Sequence, residues 1–372
     1  MYINFWYPVA TSEELTGEQP RRVQILGLKF VAFRDTQGLA HVLSDTCVHR
    51  GASLGKGRLK DGCVECPYHG WRYDGDGRCV AIPSLAEGEK PPARAKVDSY
   101  PVQEKYGIVF AFLGDLPADE RPPIWDVSEF DQPDWRANRL VVFEVDYYYE
   151  RSIENGLDPA HNEFVHPNQG APQVQHDFRK HPIEIEEHPW GGQFKVSFDH
   201  PDQEIGLLAS KEIGHDKANG VVAGSGHLGP NTLVTMIHFN ETNMFHQYFF
   251  EAPIDNSHTR IFFLNMRHFM MEPEKDEMII DINMQIAKED IDVMSEVDPI
   301  RTPSTNSKEI LLPTDRPIVR YREWLRDWDA RGWRIDWKTL QAQRGDVAFA
   351  IPSPSRRASK NWVLDPVPLL TP

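Results

Sequence analysis

At 372 residues the chain exceeds one ordinary domain, and 40% hydrophobic with 11% aromatic residues is enough to build genuine cores. Its 40 Lys and Arg stand against 56 Asp and Glu, a net charge of −16, which argues against nucleic acid or an anionic membrane surface as partner. No apolar run reaches the roughly 18 residues of a spanning helix, and residues 1–10 lack the basic start and apolar stretch of a secretory signal. Four cysteines in so long a chain do not make a disulfide framework, so the expected compartment is a reducing cytoplasm.

From the N-terminus, short strands punctuated by glycine turns are predicted at 22–33, 40–43, 63–67 and 107–113, with turns at 35–38 and 74–77. Residues 1–116 therefore read as a small all-β unit. Prolines 117, 122, 123 and 133 among acidic residues mark 117–136 as a linker. Residues 137–372 then carry predicted strands at 141–149, 193–198, 232–239, 244–251 and 259–266, with helices at 151–165, 274–297 and 318–330. Strands followed by helices define an α+β domain, and the proline-rich tail from 350 onward is expected to lie extended.

Two constellations carry chemistry. Cys47–Val48–His49 and Cys66–Pro67–Tyr68–His69 each supply one thiolate and one imidazole from a loop. Such a set suits zinc or an iron–sulfur cluster. One Cys and one His per loop fits a Rieske centre, in which two cysteines hold one iron and two histidines the other, whereas a common zinc finger pairs Cys with Cys and His with His. Cys63 and Cys79 fall outside both motifs and read as ordinary buried thiols.

The second constellation is Asp158-x2-His161-x4-His166. Asp158 suits a helix cap and Pro159 the first helical position; His161 projects near Asp158, and His166 precedes Pro167, where a helix should stop. Two histidines and a carboxylate make the facial triad of non-haem Fe(II) oxygenases. On the predicted helix 274–297, Ile279, Ile282, Ile286, Val293 and Val297 form an apolar stripe with Asp290 beside its centre, Glu289 nearer its edge and Asp292 well outside it. A carboxylate on an apolar face is costly unless paired or metal-bound, so Asp290 is the candidate third ligand, a salt-bridged core acid being the alternative.

Cys47–Val48–His49–Arg50–Gly51 and Cys66–Pro67–Tyr68–His69–Gly70–Trp71 resemble the Rieske domain of ring-hydroxylating oxygenases, and the chain from Asp158 through Lys288–Glu289–Asp290 to 321–325 is similar to the vanillate, dicamba and purine N-demethylase branch. The resemblance implies a [2Fe–2S] cluster on Cys47, His49, Cys66 and His69. It also implies Fe(II) on His161, His166 and Asp290 in a helix-grip, START-like catalytic domain with an antiparallel sheet. Asp158 would relay electrons from His69 of a neighbouring subunit to His161, in a homotrimer, and Asn155 matches an asparagine frequent near the iron. Implied partners are a ferredoxin or a flavin/iron–sulfur reductase, O2 and an apolar aromatic or cyclic substrate that is hydroxylated or oxidatively demethylated. Cis-dihydroxylation uses the same ligands and stays open, as do a Rieske electron carrier or binding protein without active mononuclear iron and a zinc-stabilised binding module. Residues 47–78 carry six basic against four acidic side chains, a rim that would attract an acidic ferredoxin. Glycines 206, 214, 220, 224, 226 and 229 suggest a loose pocket lid, and Leu233, Met236, Phe239, Phe245, Phe249 and Phe263 an apolar pocket.

Overall fold

The computed structural model describes residues 1–166, 183–198 and 221–371. Packing divides the chain into one unit of Met1–Pro123, Ala252–Asn256 and Trp328–Pro372, and a second of Ile124–Glu251 and Ser257–Asp327.

The first unit holds three small sheets in its N-terminal part and a two-stranded parallel pair, Phe349–Ala350 on Asp365–Pro366, in its C-terminal part. β1 (Phe5–Thr11), β11 (Ile108–Leu113) and β10 (Val102–Lys105) form one; β2 (Arg21–Ile25), β3 (Leu28–Arg34), β4 (Ala40–Ser44) and β9 (Ser99–Tyr100) form another. β5 (Arg58–Lys60), β6 (Cys63–Glu65), β7 (Arg72–Tyr73) and β8 (Cys79–Ala81) form the third. The predicted strand 22–33 is in fact a hairpin. Leu26 and Gly27 both take left-handed backbone angles (φ 56° and 76°), and Ile25 pairs with Leu28 across them. A two-residue turn of this hand suits the twist of paired strands, but its first residue is a leucine, which carries no turn signal. Of the cysteines outside the motifs, Cys79 is a buried thiol pushed up to about 11 by burial, while Cys63 is only half-buried.

Residues 328–372 fold with this unit rather than with the catalytic segment expected at 137–372. The cause is specific packing. Tyr2 and Phe5 meet Trp328 edge-on at 5.9 and 4.8 Å, and Ile3 N–H donates to the Trp333 carbonyl. Asp98, fully buried, accepts a forked pair from Arg356 at 2.7 Å on each arm and a third bond from Ser353 Oγ at 2.8 Å. Removing one partner of a buried pair strands the other's charge. Asp98→Ala should therefore lower stability by about 3–5 kcal/mol, measured as an earlier urea midpoint; a loss below about 1 kcal/mol would show that the tail is held by its apolar contacts.

The second unit holds an eight-stranded antiparallel sheet in the order β12 (Arg136–Ala137), β19 (Thr259–Arg267), β18 (Met244–Pro253), β17 (Thr232–His238), β16 (Val221–Leu228), β15 (Gly191–Phe198), β14 (Glu186–His188), with β13 (Val141–Val145) also on β19. β16 falls inside the stretch expected to be loose. Gly224 sits in it because a Cβ there would collide with the Phe194 carbonyl of the next strand, so this glycine marks close approach rather than a flexible loop. Gly206, Gly214 and Gly220, and with them the lid, lie outside the described residues.

Among the described residues four α-helices complete the unit: α1 (Tyr149–Gly156), α2 (Asn162–Val165), α3 (Asp276–Met294) and α4 (Arg316–Ala330), the last returning the chain to the first unit at Trp328. The single helix expected over 151–165 is broken. Asp158 precedes a proline, which disfavours helical geometry, and its carboxylate accepts from the Ala160 N–H at 2.7 Å in a local turn instead of capping α2. On α3 the buried seam runs through Ile279, Ile280, Asn283 and Met294, rotated from the expected stripe, with Val293 49% exposed. Asp290 stays on the seam, seven residues after Asn283 and four before Met294. The aromatic set divides between two clusters. Phe239 and Phe245 pack with Phe269 on Ile279, whereas Phe249 and Phe263 pack with Tyr147 against Met294.

Candidate metal centres

The two Cys–His loops are built alike. Cys47 N–H donates to the Ala52 carbonyl and Gly51 N–H returns to the Cys47 carbonyl, at 2.8 and 2.9 Å. Cys66 N–H donates to Trp71 and Gly70 N–H to Cys66, at 2.8 and 3.0 Å. Gly51 and Gly70 both need positive φ (75° and 68°) to close these turns. The repeated geometry buries both sulfurs, at 1% and 3% residue exposure, and leaves His49 and His69 at the surface. The two imidazoles stand 4.4 Å apart between centroids, and Trp71 stacks on His49 at 4.6 Å with 3° between planes.

This arrangement fits a cluster better than a single zinc ion. A single tetrahedral ion with ligands at about 2.0–2.3 Å draws all four ligand atoms within about 4 Å of one another. Among the described residues, His161, His166 and Asp290 are the one set of three His, Cys or acidic side chains whose ligand atoms converge within 4.8 Å. No three of Cys47, His49, Cys66 and His69 do so, as expected when two irons separate thiolates from imidazoles. Cys47 Sγ lies 3.3 Å from the Tyr73 hydroxyl. Burial pushes the Cys47 thiol up despite that contact, and coordination to a metal is what deprotonates such a thiol.

The second centre is assembled by three helices. α1 carries Asn155 and is pinned to α4 by the Arg322 fork on Glu154 at 2.6 and 2.9 Å. His161 and His166 bracket α2, and α3 supplies Asp290. The Nε2 atoms of His161 and His166 stand 3.6 and 3.3 Å from Asp290 Oδ1. Two ligands each about 2.1 Å from a metal at right angles stand about 3 Å apart, so these atoms need move little to share an ion. Their other ring nitrogens are already committed: His161 Nδ1 to the Asp158 carbonyl at 2.6 Å, and His166 Nδ1 to Glu289 Oε2 at 2.9 Å. Ligating histidines characteristically donate their second N–H in this way, which fixes the tautomer and aims Nε2. Asn155 Nδ2 donates to Asp290 Oδ1 at 3.0 Å.

Glu289 was legible only as a residue near the edge of the helix stripe. Its contact with His166 needs the fold, because the two are far apart in sequence. Burial resists charging His166, yet Asp290 and Glu289 outweigh it and raise the ring's pKa. Glu289→Ala should weaken Fe(II) affinity by roughly 10- to 100-fold while the electron paramagnetic resonance signal of the other centre is unchanged. Affinity within twofold of wild type, from metal-buffered titration, would reduce Glu289 to a surface acid.

Fold and site together define a protein with an iron–sulfur-type β unit and a sheet-and-helix unit bearing a two-histidine, one-carboxylate centre. Residues 5–101 match the Rieske [2Fe-2S] domain, and residues 145–331, half of the chain, match the vanillate O-demethylase oxygenase C-terminal domain. The chain belongs to the Rieske oxygenases, as an oxygenase (alpha) component of the demethylase and monooxygenase branch. Such a Rieske domain binds a [2Fe–2S] cluster, and the family carries a catalytic mononuclear Fe(II).

Among its relatives is methylxanthine N3-demethylase NdmB of Pseudomonas putida, 28% identical over 332 residues, covering 86% of this chain and 88% of that protein. The NdmB structure superposes with a TM-score of 0.71 at 26% identity, over 86% of this chain and 89% of that one. Cholesterol 7-desaturase nvd 1 of Ciona intestinalis is 35% identical over 45% of this chain but only 35% of its own length. Phenoxybenzoate dioxygenase subunit alpha of Ectopseudomonas oleovorans is 33% identical over 47% of this chain and 45% of its own. The chain thus spans less than half the length of several curated relatives it matches. Among the described residues, no helix is long and apolar enough to cross a membrane.

Proposed function

We propose that this chain is the terminal oxygenase of a cytoplasmic multicomponent system, hydroxylating or oxidatively demethylating an apolar aromatic or cyclic small molecule. The carrying observation is the convergence of His161, His166 and Asp290, with both imidazoles anchored through Nδ1. In this reading Cys47 and Cys66 hold one cluster iron, His49 and His69 the other, and His161, His166 and Asp290 hold Fe(II). When bound, these groups supply single-electron storage and O2 activation. The overall balance is one substrate C–H, O2, two electrons and two protons to one C–OH and water; a hydroxylated methyl on oxygen or nitrogen then leaves as formaldehyde.

The chain's own residues set the stage for this. Exposed His49 and His69 would present a bound cluster to a ferredoxin or reductase, while the burial of Cys47 and Cys66 would keep water from the thiolate side of the site. Asp158, whose carboxyl burial raises above its ordinary range, is the relay to His161 from His69 of the next copy in a homotrimer. Asn155 holds Asp290 in place. NdmB, named for N-demethylation, supports the substrate class.

The test combines electron paramagnetic resonance and metal analysis of dithionite-reduced protein with turnover under labelled O2. About three irons per chain and a Rieske-type signal are expected, with one labelled oxygen in product or formaldehyde. Two labelled oxygens would make it a cis-dihydroxylating enzyme. A cluster signal without mononuclear iron would make it an electron carrier, and a silent zinc protein would remove the oxygenase reading.

A further inference from the structure

Glu251, near the end of β18, is fully buried. It shares a face of that strand with Gln247, which meets Asn283 of α3, so both side chains enter the space the helices cover. Glu251 Oε1 accepts from the Ser152 hydroxyl of α1 at 2.7 Å, and Oε2 has no hydrogen-bond partner. Asn231 bonds its backbone on both sides, at 2.8 and 2.9 Å. Among the described residues no Lys, Arg or His pairs with the carboxyl, and Tyr147 is the titratable group that faces it. Buried Glu154 of α1, by contrast, carries the Arg322 fork. A buried carboxyl without a cation keeps its proton, and burial pushes Glu251 up to about 8.

This neutral acid lies one hydroxyl away from the metal-facing side of α1. Ser152 and Asn155 stand three residues apart on that helix, on one side of it, and Asn155 Nδ2 donates to Asp290 Oδ1 at 3.0 Å. Tyr147 is buried in the same space close to Ser152. Burial, then the charges of Glu251 and Asp290, raise its phenol, so both acids lie within electrostatic reach of it. The other end of this row meets water, because the Asp290 side chain is 22% exposed. Oxygenation consumes two protons, and a substrate seated at the centre displaces the water that could bring them.

We propose that Glu251 is an internal proton donor for the Asp290 centre, passing its proton through the Ser152 hydroxyl toward the side of α1 that Asn155 presents to Asp290. The inference rests on the oxygenase reading above and gives one of its two protons a source. In the step the Glu251 O–H bond breaks and a Ser152 O–H bond forms, while the serine's own proton moves on toward the centre. Glu251 is left as a carboxylate and takes a proton back from water along the same row once product has gone.

The experiment uses iron-loaded, full-length protein. Infrared difference spectra of wild type against Glu251→Gln should show the carbonyl stretch of one buried neutral acid at neutral pH, fading as pH rises through about 8. In D2O that band should shift as the acid exchanges its proton. Ser152→Ala should keep the band but slow the exchange at least about tenfold, as one hydrogen bond of the row is lost. A carboxyl at about 8 in the fold and 4.5 unfolded loses stability progressively as pH rises between those values. The Tm of Glu251→Gln should therefore pull ahead of wild type across that range. Function is read by mixing dithionite-reduced protein with O2, with 4-methoxybenzoate as the probe, and following cluster reoxidation by absorbance. Reoxidation should slow at least about 100-fold in Glu251→Gln, the lower end of what a general acid contributes. The wild-type rate should fall above about pH 8 as the acid form is lost, and that fall should be missing from the variant. An acid band absent at neutral pH, or reoxidation in Glu251→Gln that matches wild type, overturns the inference. So do wild-type exchange and reoxidation in Ser152→Ala, which stands in if Glu251→Gln does not fold. Labelled O2 separates the two readings. Oxygen insertion into the probe at equal rates in wild type and Glu251→Gln keeps the oxygenase and removes the donor. A neutral Glu251 in protein that takes up no mononuclear iron removes the oxygenase, and the donor role with it.

Discussion

Replacing Asp158 with Asn should leave both metal centres loaded while turnover falls by more than about 100-fold, at the upper end of what a residue one shell outside a metal costs. The substitution is chosen for what it preserves. His161 Nδ1 is held by the backbone carbonyl of residue 158, at 2.6 Å, which no side-chain change removes. The Ala160 N–H donates to Asp158 Oδ1 at 2.7 Å, and an asparagine oxygen accepts the same bond in the same local turn. What is lost is the negative charge and one acceptor oxygen, the Oδ2 not used by Ala160, since an amide offers one acceptor oxygen rather than two. A purely structural Asp158 would therefore tolerate Asn. A relay would not: the dithionite-reduced cluster should keep its signal, and its reoxidation by O2 in the presence of substrate should slow with turnover. Wild-type turnover in Asp158→Asn would remove it from the electron path.

The features legible in the sequence are those whose chemistry is local. Cys47–His49 and Cys66–His69 are short motifs closed by glycines within five residues, so spacing alone located them. Asp290 could be singled out because one helix period relates it to apolar neighbours, even though the seam proved to run through Asn283 and Met294 instead of Ile282 and Val293. Features set by distant packing were not legible. Leu26 adopts a turn conformation its side chain does not advertise, and residues 328–372 rejoin the first unit through Trp328 and Asp98. Gly224 is required by the neighbouring strand's carbonyl, so a glycine-rich stretch read as loose is partly a strand. Glu289 and Asn283 meet their hydrogen-bond partners only once α3 faces His166 and Gln247. In each case the deciding partner lies more than twenty residues away, or the deciding backbone angle is unusual for its residue.

Asp290→Ala should reduce iron from about three to about two per chain and abolish oxygenation, with the cluster signal intact. Its carboxylate oxygen is the atom both imidazoles face, at 3.3 and 3.6 Å. Without it the centre keeps two neutral nitrogens, and a hard, oxygen-preferring share of the ligand set is gone. The fold should survive. Residue 290 lies within α3, where alanine is the better helix former, and replacing a half-buried acid beside Glu289 removes one of two neighbouring negative charges. A Tm at or above that of metal-free wild type is therefore expected, and a Tm well below it would mean that Asp290 is chiefly a structural partner of Asn155 and His166. The same variant tests the subunit crossing. Asp290→Ala keeps a working cluster but no iron, and Cys66→Ser is expected to keep the iron but lose the cluster. If electrons pass from one copy to the next, co-expressed mixed oligomers of the two inactive chains should recover a measurable fraction of wild-type turnover, because some cluster-bearing copies then sit beside iron-bearing ones. Absence of recovery in oligomers shown to contain both chains would confine the transfer to a single chain, and Asp158 would then have to serve the cluster of its own subunit.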